Sequence, residues 1–454
     1  MVVRTTIAII AGLVASAVAD TVIVPGAPWT DTSGNRIQAH GGGLLKVGST
    51  YYWHGEDKSH NSGTFKAVSC YSSTDLMSWS RGTDALTPQS GTNISTSNIV
   101  ERPKVIYNSK ARHSNSEYVM WFHSDSSNYG AAMVGVATAT TPCGPFSYRG
   151  SFKPFSADSR DMGVYVDDDS AKTAYLLYAS DNNQNFKIAK MDTDYYTLSS
   201  VVSQINASTL ESPGIIKRSG VYYLFASHTT GWAPNPNKVL TASSLSGSWS
   251  SESDIATSNT RTYYSQNSYN LPLSTSSAVY MGDRWRSSVL GDSRYIWLPM
   301  TWSSGSPKLV WADVWTVNLS AGTYTVASGT TYEAESGTRG GNSTLLSNSA
   351  FSGGQAIGYL GKGGTLTLSN VQGTGASGGQ WVSVYYANGD STYRNVTITV
   401  NGGSSVLLDQ PDSGGGGVVL SVPVKLALKS GANTLVFASS QTTYAADLDK
   451  VIVY

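Results

Sequence analysis

One phrase returns five times between residues 44 and 302: an apolar run, a polar turn, then tyrosine and a second apolar run. The copies pair 44–47 with 51–53, 104–107 with 118–121, 164–166 with 175–178, 214–217 with 222–225, and 278–280 with 295–298. β-Branched and aromatic runs on either side of a turn make each copy a β-hairpin. A sheet-forming unit recurring at roughly 40–50 residues or more cannot bury both faces alone, and stacking such units radially gives a β-propeller. Three copies are entered by an acid: Glu101, Asp161 and Glu211 stand five positions before Ile106, Val166 and Ile216. Radial repetition carries equivalent positions to one axis, so these carboxylates should meet in a single funnel, a setting for acid–base chemistry. The first copy differs. Aligning 40–46 with 211–217 puts His40 where the fourth copy has Glu211, so no carboxylate enters there.

Composition agrees with an all-β chain. Only 13% of the 454 residues are charged, against about 25% in typical globular chains, and Ser, Thr, Gly and Tyr fill the difference. Thirty acids balance thirty bases, so no net field draws nucleic acid or an anionic membrane; a neutral polysaccharide meets no penalty. Residues 1–19 have the pattern of a secretory signal: Arg4, an apolar stretch over 7–18, and Ala17-Val18-Ala19 before Asp20. The apolar run is short for a membrane span of about 20 residues. Secretion to an extracellular setting is therefore expected, and sequons at Asn93, Asn206, Asn318, Asn342 and Asn395 are compatible with glycosylation there. In that compartment the only two cysteines, Cys70 and Cys143, are read as bridged rather than free.

The repeats occupy residues 20–322, and 323–331 reads as a small, polar linker. Over 332–454 the pattern changes to alternating strands with many Gly turns, which indicates a β-sandwich of jelly-roll type. The expected architecture is thus a five-bladed propeller followed by a sandwich, in a monomer.

Specific motifs sharpen the first domain. Arg160-Asp161-Met162-Gly163-Val164-Tyr165-Val166 and Glu211-Ser212-Pro213 resemble glycoside hydrolase family 43. Tyr51-Tyr52-Trp53-His54-Gly55-Glu56 and Met281-Gly282-Asp283-Arg284-Trp285 are similar to its exo-β-1,3-galactanase branch. The resemblance implies Glu211 as general acid, with Asp161 orienting it and raising its pKa by like-charge repulsion. It also implies an inverting reaction, which needs about 6.5–9.5 Å between the acid and the group serving the water. Most of the family has an Asp base near residues 39–42, where this chain has none, as in the galactanase branch. Gln266 matches the amide thought to replace part of that role, here by positioning the attacking water. Glu101 is assigned to sugar hydroxyls in the terminal subsite, with the alternative that it is the base. Glu56, Tyr129, Thr229 and Trp232 match pocket-lining positions of that branch. Asp167, Asp168 and Asp169 are read as turn residues in place of a metal site.

The C-terminal part resembles carbohydrate-binding module family 35, which implies a structural Ca2+ held by Glu333, Glu335 and Asp449, and no cofactor for catalysis. Glu333 and Glu335 are two apart and so share one side of an extended strand. Sugar contacts are expected from Tyr359, Arg394, Tyr444 and Asp447. The whole then reads as an exo-glycosidase releasing galactose from β-1,3-galactan, the backbone of arabinogalactan proteins. The alternatives are a β-xylosidase or α-L-arabinofuranosidase of the same family, or a non-catalytic galactan-binding lectin.

Overall fold

The structure, a computed structural model, describes residues 21–108, 117–303, 305–439 and 442–454. The expected leader lies outside the described residues. Five four-stranded antiparallel sheets follow one another in chain order. Their innermost strands are His40–Val47, Asn98–Asn108, Met162–Val166, Leu210–Arg218 and Gln266–Pro272. Each packs beside the next and the last beside the first, closing a five-bladed propeller. Val119, Trp121, Leu176, Leu224, Val279 and Leu298 are buried between blades, which is where the repeated apolar runs go.

The seam between the fifth and first blades is closed by aromatic packing. Trp53 and Trp297 approach to 4.7 Å between ring centroids, with Trp29 and Trp79 against them. Such pairs contribute about 0.5–1.5 kcal/mol each beyond burial. A backbone bridge from Ile23 to Trp315 ties the start of the propeller to its end.

The first four repeats are the first two strands of their blades, as expected. The fifth is not. Tyr280 pairs with Leu298 between the second and third strands, Ser277–Arg284 and Arg294–Ser303. The innermost strand of that blade is Gln266–Pro272, whose polar sequence hides its place in the repeat.

The second domain is a sandwich of a six-stranded and a five-stranded sheet. Ile357, Val382, Val384, Leu448 and Val451 from one sheet meet Leu366, Leu368, Val396, Ile398 and Phe437 from the other. The linker is shorter than expected. Thr323–Val326 is a strand paired with Trp315–Asn318, and Thr330–Glu333 pairs with the final strand, Asp447–Val453. Polar composition concealed these strands because both lie at exposed sheet edges.

Asp167 to Asp169 form the hairpin turn they were read as, with Asp167 Oδ1 accepting from the Asp168 backbone N–H and Asp169 Oδ1 from that of Thr173. Cys70 and Cys143 are bonded, linking the first blade to the second. Among the described residues no helix is long and apolar enough to cross a membrane.

Candidate active site

The register of the repeat builds one ring at the top of the propeller. Counting back five positions from Leu45, Ile106, Val166, Ile216 and Leu271 gives His40, Glu101, Asp161, Glu211 and Gln266. Bulges break the innermost strands just after His40, Glu101 and Glu211. The residue following each of the three is left-handed: Gly41, Arg102 and Ser212 have φ of 56°, 54° and 55°. A bulge re-aims its side chains, and after Glu101 and Glu211 it accompanies a register residue that faces the cavity.

All eight residues expected to act or bind line one cavity: Glu56, Glu101, Tyr129, Asp161, Glu211, Thr229, Trp232 and Gln266. Its volume is about 820 Å³ with the open mouth included. Arg102, His123, Arg160, Asn183 and Trp285 complete the wall and were not anticipated. Arg102 had a visible signal, since it follows a register acid directly; the others come from second strands and loops.

The first blade does supply an acid, from the neighbouring strand. Glu56 lies opposite His40 in the pairing and reaches the pocket over Gly41. A Cβ on Gly41 would stand 2.2 Å from Glu56 Oε1. His40 itself turns away, its Nδ1 3.0 Å from Asp283.

Charge is distributed unevenly among the acids. Burial pushes Glu101 up, but His123, Lys58 and the Tyr129 hydroxyl outweigh it and hold the carboxyl at about 2. His123 sits between Glu101 and Asp125, at 3.2 and 2.9 Å. Against the downward pull of burial, those two acids raise it to about 9. Glu211 moves the other way: burial and then the Asp161 charge push it well above the usual carboxylate range, with Arg102 and Gln266 opposing. Burial also raises Glu56, with Lys58 2.8 Å away opposing. Asp161 is gripped by Arg102 Nε at 2.7 Å and accepts from Ser212 Oγ at 2.8 Å. The site therefore sets one carboxyl raised, Glu211, against one lowered, Glu101, the contrast that acid–base hydrolysis uses.

Glu101, His123 and Asp161 lie close enough to hold a cation, with one ligand atom from each within 4.8 Å of the others. His123 is already engaged by carboxylates at both ring nitrogens and Asp161 by a guanidinium, so their charges are met within the protein.

Gln266 lies in the pocket with both ends of its amide engaged. Its Oε1 accepts from Arg102 Nη2 at 2.7 Å and Trp285 Nε1 at 2.9 Å, while Nε2 donates to Glu211 Oε1 at 2.7 Å and Ser227 Oγ at 3.1 Å. Two acceptor sites and two N–H groups are its full capacity, and these four contacts use it. Trp232 is 37% exposed, standing edge-on to Trp285 at 5.1 Å with a face available for stacking. The Thr229 hydroxyl is turned to the Thr209 carbonyl.

In the sandwich, the four expected sugar contacts cluster. Tyr359 and Tyr444 meet at 5.2 Å, Arg394 donates to the carbonyls of Tyr444 and Ala445, and Asp447 feels the Arg394 charge. Of the three expected metal ligands, Glu333 and Asp449 meet at Ser352, and Glu335 is near enough for its charge to act on Asp449. Ser352 Oγ donates to Glu333 at 2.8 Å and the Ser352 N–H to Asp449 at 2.7 Å. Glu333 Oε2 and Glu335 Oε2 are buried with no hydrogen-bond partner, and burial pushes Asp449 up to about 6, with Glu333 and Glu335 adding to the rise. Glu333 and Glu335 do not share a strand face, because the strand ends at Glu333 and Glu335 lies in a 3-10 turn over Ala334–Ser336. Buried, unpartnered carboxylate oxygens with a raised acid beside them fit a hard cation.

A pocket of carboxyl groups at the mouth of a five-bladed propeller is a setting for glycoside hydrolysis. The chain belongs to glycosyl hydrolases family 43, whose model matches residues 42–272. Residues 365–453 match a second model, the CBM13 domain of alpha-galactosidase, a binding-module family other than the one the sequence resembles. Crystal structures of the exo-β-1,3-galactanase from Phanerochaete chrysosporium, solved with galactose and with β-1,3-galactotriose, are 68% identical and superpose with a TM-score of 0.92. The match covers 95% of this chain and 100% of that one. An exo-β-1,3-galactanase from Clostridium thermocellum is 28% identical over 94% of this chain and 100% of its own, with a TM-score of 0.63. No curated protein matches the sequence.

Proposed function

We propose that this glycoside hydrolase is a secreted, inverting exo-β-1,3-galactanase that releases galactose from the end of β-1,3-galactan. The observation that carries the proposal is Glu211, raised by burial and by Asp161, in a pocket shared with Glu56, Glu101 and Trp232. The 68% identical galactanase crystallised with galactotriose supports the substrate. A leader-like start and the Cys70–Cys143 bond support secretion.

Trp232 stacks on the terminal galactose, and Glu101, Tyr129 and Glu56 take its hydroxyls. Glu211 gives its proton to the glycosidic oxygen as the C1–O bond breaks, and that oxygen keeps the bonding electrons. A water adds to C1 from the opposite face and releases a proton. As C1 gains oxocarbenium character the adding water becomes strongly acidic, so a weak base suffices. We assign that role to Glu101, whose carboxyl His123, Lys58 and Tyr129 hold below the usual range. The first-blade Asp normal to xylosidases and arabinofuranosidases of the family is absent, which disfavours those activities. A purely binding role gives no account of a pocket carboxyl raised well above its usual range.

Incubation with β-1,3-galactan tests this: α-galactose should appear first by proton NMR. No free galactose would leave the lectin reading, and pentose release from arabinoxylan would favour the other activities. In the sandwich we propose a calcium ion bound by Glu333, Glu335 and Asp449, with the sugar site at Tyr359, Arg394, Tyr444 and Asp447. Such an ion adds about 2.7 kcal/mol at one hundred times its Kd, so EDTA should lower Tm and calcium restore it. A Tm unmoved by either would exclude the ion.

A further inference from the structure

The amide of Gln266 has only one orientation compatible with its neighbours. Arginine and indole nitrogens donate and never accept, so the oxygen must face Arg102 and Trp285, at 2.7 and 2.9 Å. Its NH2 is thereby aimed at Glu211 Oε1 and Ser227 Oγ. Gln266, Arg102 and Trp285 are 7%, 5% and 7% exposed, so solvent does not compete for these bonds. Arg102 is itself fixed. Nε binds Asp161, Nη1 donates to the Asn267 carbonyl at 3.2 Å, and the backbone N–H donates to Glu56. One guanidinium thus joins the register positions of two blades, the third and the fifth.

Glu211 Oε1 accepts the amide proton, and in a carboxylic acid the carbonyl oxygen is much the better acceptor. The acid's own proton therefore resides on Oε2. Resting on the reading of Glu211 as general acid, the geometry points to Arg102 as a positioning residue that, through Gln266, fixes the catalytic proton on Glu211 Oε2. Were the amide reversed, its oxygen would face Glu211 and capture that proton on Oε1, away from the leaving group.

The test compares two substrates in the full-length protein. β-1,3-Galactobiose needs a proton on its leaving oxygen, whereas dinitrophenolate leaves an aryl β-galactoside unaided. Arg102→Lys keeps the charge, but a single ammonium cannot reach Asp161 and Gln266 together. Its kcat on galactobiose should fall about 10²-fold, the lower end for loss of general acid catalysis. KM should hold, and the aryl substrate should lose at least about tenfold less. Equal losses on both substrates, or none on galactobiose, would overturn the inference.

If circular dichroism shows Arg102→Lys unfolded, Gln266→Glu decides. It keeps an oxygen for Arg102 and Trp285 but replaces the N–H aimed at Glu211, so the same selective loss is expected. If Gln266 instead took the water's proton, a carboxylate there would maintain or raise both rates. Glu211→Gln separates the two levels. Near-normal galactobiose turnover in that variant would remove the acid assignment itself. An inactive Glu211→Gln beside a normal Arg102→Lys would remove only the role of Arg102.

Discussion

Asp161 works on Glu211 through charge, and that makes its removal readable in a pH profile. Its carboxylate raises Glu211 and Arg102 lowers it. Asp161→Asn deletes the first influence and frees the guanidinium to exert the second more strongly. The proton on Glu211 is then lost at lower pH, so the alkaline limb of kcat/KM should move down. A limb that stays in place would mean that burial alone sets the acid. Glu101, Asp161 and Glu211 were legible in the sequence because each stands at the same distance from an apolar residue of a repeated strand. His123 was not, because its charged state arises from Glu101 and Asp125 on either side of its ring, a relation between strands that no linear pattern records. Gln266 was identified by likeness alone, although Leu271 five positions later obeys the register; reading the fifth hairpin one strand late hid it.

At the level of the strand, the bulges after His40, Glu101 and Glu211 shape what their blades bring to the pocket. Gly41 is the clearest case: its φ is positive, and any Cβ would collide with Glu56 Oε1. Gly41→Ala should cost on the order of 1–3 kcal/mol in backbone strain and displace Glu56. A drop in urea midpoint together with a rise in KM for galactobiose is the expected result; unchanged values in both would show that Glu56 has room to spare. The hairpins themselves were readable from apolar runs, and the interleaved outer strands much less so. Ser80–Arg81 and Ser253–Asp254 have two residues each and no apolar side chain, so nothing in their composition marks them as sheet.

Taken whole, the molecule is not a propeller with a loosely tethered module. Asp313 accepts from Trp311 on its own side and from Tyr385, Ser421 and Tyr454 of the sandwich. Arg261 pairs with Asp412 and Arg286 with Asp409, and Tyr263 and Tyr264, just before Gln266, pack on the sandwich core. The two domains should therefore unfold in one calorimetric transition. Asp313→Ala, leaving buried hydroxyls unpaired at about 1–3 kcal/mol each, should lower that Tm. Two separate transitions in the native protein would show instead that the domains unfold independently. None of this interface was visible in the sequence, because its polar partners are scattered singly through both domains. The claim beneath every scale is that Glu211 delivers the proton that breaks the glycosidic bond. Galactose release from β-1,3-galactotriose by Glu211→Gln measures it directly. A loss of about 10²–10⁴-fold in kcat with the fold intact is the predicted result, and turnover close to that of the native protein would contradict it.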